Sequence, residues 1–145
     1  MAYHVRVICV SAAPTLDEVA AAGAATVDGL ALDGMSARSA SADVMLGGET
    51  VAEVEINAGD DTFVGEFGEL RELIAGRDGA DTVGAVLDRA TAIDAFRILQ
   101  GRSGMQANFR SLLPLFEGLR TAAGGLLQCD NDDVYAGNGL VLSLE

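Results

Sequence analysis

Strict alternation over Glu53-Val54-Glu55-Ile56 constrains the fold more than any other stretch of this chain. Successive side chains of a strand point to opposite faces, so Val54 and Ile56 share one face and the two carboxylates share the other. Such a strand belongs to a sheet with one face in the core and one in water, the signature of antiparallel sheets. Gly47-Gly48 just upstream predicts a tight turn joining this strand, Thr50 to Asn57, to a preceding one over Asp43 to Leu46.

Other segments extend the pattern. Tyr3 to Val10 reads as a strand with Val5, Val7 and Cys9 on one face and His4, Arg6 and Ile8 on the other. Thr15-Leu-Asp-Glu18 is a capping box, in which the Thr hydroxyl accepts from the Glu18 amide and the carboxylate reaches back. It predicts an Ala-rich helix to about Ala25. Residues 26–42 show no clear period and are expected to form a long loop with a short strand at Leu30 to Leu32. Phe63, Phe67, Leu70 and Ile74 recur at helical spacing and predict a helix over Thr62 to Ala75, and Val83, Val86, Leu87 and Ala90 a shorter one over Thr82 to Ala90.

Ile93 to Gln100 reads as a central strand, because its apolar residues fall in both parities. A helix follows from Asn108 to Thr121. Pro114 is tolerable only in a first turn, which moves the expected start toward Ser111. Leu126 to Cys129, Val134 to Ala136 and Leu140 to Leu144 read as a closing meander turned at Gly137-Asn-Gly139. The expected fold is therefore α+β (mixed α/β) over a single domain, residues 1–145. It has two layers: a mainly antiparallel mixed sheet, and about four helices.

Charge narrows function. The chain carries 22 Asp and Glu against 9 Lys and Arg, a net −13, and all nine basic residues are Arg. Together with abundant Ala and Gly this suggests a bacterial origin. A net acidic surface argues against nucleic-acid and anionic-membrane partners, which need basic surfaces. No segment has the roughly 20 apolar residues of a bilayer span, and the apolar run from Val7 to Ala13 reads better as a strand than as a signal peptide. A soluble cytoplasmic protein is expected, with Cys9 and Cys129 as buried thiols rather than a disulfide.

The equipment for catalysis is sparse. The one histidine, His4, has opposite strand parity to Cys9, so the two should not meet. One His and two separated Cys give no zinc spacing. Cys129-Asp-Asn-Asp-Asp133 resembles the first half of a calcium loop, but Val134 and Tyr135 stand where an oxygen ligand and a Gly belong. No catalytic residue, metal or cofactor is assigned.

Two surfaces remain as candidates. From Asp43 to Leu70 there are eight acids and no Arg. The leading expectation is a protein-binding module of immunity, antitoxin or secretion-chaperone type. It would meet a basic partner through Glu53, Glu55, Asp60, Asp61 and Glu66. The second is an anion-binding or enzymatic site in the strand-to-helix loop 101–110, where helix N-terminal amides could join Arg102, Ser103, Gln106, Asn108 and Arg110. A structural subunit of a homo-oligomer is a third reading.

Overall fold

The computed structural model describes residues 3–11, 14–36, 40–58, 61–129, 134–136 and 139–142. In chain order the elements are β1 (Tyr3–Cys9), α1 (Leu16–Thr26), β2 (Leu30–Ser36), β3 (Ser41–Leu46), β4 (Glu49–Asn57), α2 (Asp61–Ile74), α3 (Ala80–Leu87), β5 (Ala92–Ile98), α4 (Met105–Ala123), β6 (Leu126–Cys129), β7 (Val134–Ala136) and β8 (Gly139–Leu142). The strands form one open sheet in the order β2-β3-β4-β5-β1-β6-β7-β8. Every pairing among the described strands is antiparallel. The α+β class, the antiparallel sheet, the four helices and the closing meander are as expected.

Side-chain parity sorts the sheet into two faces. Val5, Val7 and Cys9 of β1, Val54 and Ile56 of β4, and Phe96 and Ile98 of β5 are buried with Leu112, Leu115, Phe116 and Leu119 of α4 and Val19 of α1. Phe96 meets Phe116 edge-on at 4.9 Å, and Phe116 leads through Phe109 to Tyr3. On the opposite face, Leu70 and Ile74 of α2 and Val83 and Leu87 of α3 pack on Ile8, Ile93 and Leu126. This second helical pair roofs only one end of its face. The central position of β5, between β4 and β1, follows from its apolar residues in both parities.

Local signals explain the element ends. Thr15 caps α1 with the full capping box. Gly47 and Gly48, at φ +60° and +83°, close the β3–β4 hairpin in the left-handed region that two-residue turns require. Gly124 ends α4 at φ +65°.

The structure departs from the sequence expectation in three places. Helices pack on both faces of the sheet, α1 and α4 on one and α2 and α3 on the other, where two layers were expected. Residues 26–42 are mostly ordered into elements: α1 runs to Thr26, β2 occupies Leu30–Ser36 and β3 begins at Ser41. The period of two is hidden there because the β2–β3 register shifts between Asp33 and Ser36, at Gly34 with φ +61°. Helix α4 begins at Met105, well before Ser111, and holds Pro114 in its interior. Pro114 is on the solvent side, where water can satisfy the Arg110 carbonyl that lacks its usual donor. No helix among the described residues is long and apolar enough to cross a membrane.

Candidate functional site on the open sheet face

The antiparallel register draws one row of charged residues across five strands. Asp33 of β2 pairs with Asp43 of β3, Asp43 with Glu53 of β4, Glu53 with Arg97 of β5, and Arg97 with His4 of β1. Directly opposed residues share a face, so three carboxylates are followed by a guanidinium and an imidazole. At about 4.8 Å per strand the row is about 19 Å long. The neighbouring row runs Ser41, Glu55, Ala95, Arg6 and Gln128. The next, Asn57, Ile93, Ile8 and Leu126, is where α2 and α3 pack on Ile8, Ile93 and Leu126. The acidic ends of the two rows therefore lie beside the helical roof, while at the far end of the second row Ala95 packs against that roof and Gln128 is buried.

Each position follows from burial on the other side. Val54 and Ile56 are drawn into the core, which turns Glu53 and Glu55 outward. Arg97 Nη1 donates to Glu53 Oε1 at 2.6 Å, with both side chains about half exposed (53% and 46%). In that setting the pair orients the two charges and adds little stability. Among the described residues, Asp33, Asp43 and Glu55 have no ion-pair partner. Arg6 Nη1 donates to Gln128 Oε1 at 2.8 Å, and the buried Gln128 is held by donating to the Cys129 carbonyl at 2.8 Å. His4, Ser41, Asp43, Glu55, Asn57 and Arg97 line a depression of about 430 Å³ between these rows. No cluster with metal-ligand composition occurs among the described residues.

Of the acidic residues singled out from sequence, Glu53 and Glu55 lie on this face as neighbours. Asp61 and Glu66 belong to α2, and Asp60 lies outside the described residues, as does the Asp130 to Asp133 turn. The residues sequence reasoning missed are Asp33, Asp43, Arg97 and His4. Their juxtaposition is a matter of strand register, which no local pattern encodes.

The 101–110 loop is built differently from its sequence expectation. Glu49 Oε1 accepts from the Arg102 amide at 2.5 Å, so a carboxylate of the protein itself occupies that donor. Asn108 is buried and donates from Nδ2 to the carbonyls of Leu99 (2.8 Å) and Gln100 (3.3 Å); it fastens the end of β5 to the start of α4. Ser103, Gln106 and Arg110 do converge, with Gln100 and Met105, on a shallow depression of about 510 Å³. Arg102 is exposed and stands outside that lining.

A third constellation is internal. Asp94, in the middle of β5, is fully buried, and Cys9 Sγ lies 3.5 Å from its Oδ2. Burial pushes the Asp94 carboxyl up to about 7. Burial and the adjacent Asp94 push the Cys9 thiol up as well, which disfavours the nucleophilic thiolate. The visible signal was a lone carboxylate inside the apolar run Ala92 to Phe96.

No family model matches the chain, and no curated protein or solved structure is significantly similar to it.

Proposed function

We propose that this chain is a binding module that engages a basic protein partner through the acidic half of its open sheet face. The observation that carries the reading is the alignment of Asp33, Asp43 and Glu53 as direct cross-strand neighbours, with Glu55 beside them. Like charges directly opposite one another destabilise a sheet, and Arg97 offsets only the Glu53 end. A cationic partner removes that repulsion on binding, and its approach is steered by the field of the acidic surface.

The test is co-purification at low salt from the native host, wild type against Asp43→Lys and Glu55→Lys, with the retained protein identified by mass. A stoichiometric basic protein, lost from both variants and released as salt rises, supports the reading. A partner retained equally by all three, or held independently of salt, removes it.

A second reading places an inorganic or organic anion at Ser103, Gln106 and Arg110. It is favoured by their convergence at the start of α4, where Gly104 caps the helix without a side-chain bond. Thermal shift with phosphate, absent in Arg110→Ala, checks it. No shift in wild type removes it.

A further inference from the structure

The spacing of the acidic row specifies the shape of what binds it. This step rests on the reading that the partner is basic. We infer that the docking element is an α-helix laid across the strands, carrying Lys or Arg at i, i+3 or i+4, and i+7. Asp33, Asp43 and Glu53 stand on consecutive strands, so they recur at about 4.8 Å and span about 10 Å. At 1.5 Å rise per residue, helix positions i, i+3 or i+4, and i+7 recur at about 4.5–6 Å and also span about 10 Å. An extended peptide crossing the same row presents one side every second residue, about 6.8 Å apart, and falls out of step by the third position.

The shelf also has the right width. The two charged rows are adjacent same-face positions, about 7 Å apart along the strands. Packing of α2 and α3 on Ile8 and Ile93 bounds them on one side. A helix about 10 Å across fits beside that roof. Sheet twist, about 20–25° per strand, limits a straight helix to roughly three or four strands, the extent of the acidic half. Beyond it, Arg97 and His4 favour acidic residues farther along the same helix face.

A small polyamine also carries cations at regular spacing. The lining of the depression contains no Phe, Tyr or Trp among the described residues, and an open shelf of this kind suits a helix better than a flexible small cation, which needs enclosure.

The experiment uses the full chain and labelled synthetic peptides of about 18 residues on an Ala-rich background, long enough to be helical. One carries Arg at i, i+4 and i+7. A second has the same composition with Arg at i, i+2 and i+4. Binding is read by fluorescence anisotropy at low salt, with spermidine as competitor. The expected result is binding of the helical-spacing peptide roughly tenfold tighter than the other, a difference of about 1.4 kcal/mol. Asp43→Asn should weaken it and Arg97→Gln, which deletes a cation from the row, should strengthen it. Equal affinity of the two peptides overturns the helix while leaving a basic partner standing. Failure of both peptides removes both readings. Spermidine binding as tightly as the better peptide, with the same sensitivity to Asp43→Asn, identifies a small-cation site and overturns the docking helix.

Discussion

Cys9 Sγ lies 3.5 Å from Asp94 Oδ2 across the β1–β5 pair, in a layer from which water is excluded. The other carboxylate oxygen, Oδ1, has no hydrogen-bond partner among the described residues. The strand neighbours of Asp94 are Val7 and Ile56. On the covering helix, the buried Arg120 is tied to Glu117 and Thr121. An ionised carboxylate here would have only the weak Cys9 thiol donor against the cost of burial, so the neutral acid is favoured.

That relationship sets a pH dependence. The Asp94 carboxyl is raised from 3.8 to about 7, so between those values the folded chain holds a proton that the unfolded chain has released. Its stabilisation is full below 3.8 and is lost as pH rises through about 7, with a slope of up to about 1.4 kcal/mol per pH unit. Asp94→Asn should abolish this component and be the more stable protein at about pH 8. Urea denaturation of both proteins from acidic to mildly alkaline pH measures the difference. Parallel profiles would show that Asp94 titrates normally.

Both cysteines are buried, at 0% and 1% exposure. A thiol reagent should therefore label neither Cys9 nor Cys129 in the native protein and both after denaturation, with native labelling governed by unfolding. Rapid labelling of Cys9 without denaturant would contradict the packing around Asp94.

Gly125 connects α4 to β6 where the backbones touch. A Cβ there would fall 1.7 Å from the Ile8 carbonyl oxygen. Gly125→Ala should lower stability by about 3 kcal/mol or more, read as a drop in Tm of roughly 10 °C. Gly84→Ala, in α3 with nothing within 4 Å, should do the reverse and stabilise by about 0.5–1 kcal/mol through helix propensity. Equal effects of the two would place the β1–α4 junction incorrectly.

Asp43 stands between two other carboxylates in the row. Asp43→Asn should stabilise the free protein by about 0.2–1 kcal/mol at low salt, with the gain shrinking as salt screens the repulsion. Chemical denaturation at two ionic strengths checks this. A destabilised variant would mean that Asp43 supports the fold rather than opposing it.

Much of the architecture was legible because it is local. Alternation in β4 and β1, the capping box at Thr15 and the Gly-Gly hairpin each act over a few residues, and each is found where those residues stand. Strand β2 was obscured because Gly34 and the register shift break the alternation that would have marked it. The early start of α4 was obscured because Pro114 argues against a helix interior unless its exposed position is known. The site was half legible: Glu53 and Glu55 follow from parity alone. For the loop, the list of donors was readable, but Glu49 reaching Arg102 and Asn108 turning inward come from contacts between distant segments.

By itself, then, the sequence determined the α+β class, the outward face of β4 and the acidic character of the surface, since these depend on period, composition and capping chemistry. Only the tertiary structure decided which charges meet. Register between β2, β3, β4, β5 and β1 places Asp33, Asp43, Glu53, Arg97 and His4 in one row. Packing of the hydrophobic face selects that register, because a slip of one residue would bury the carboxylates and expose Val54 and Ile56.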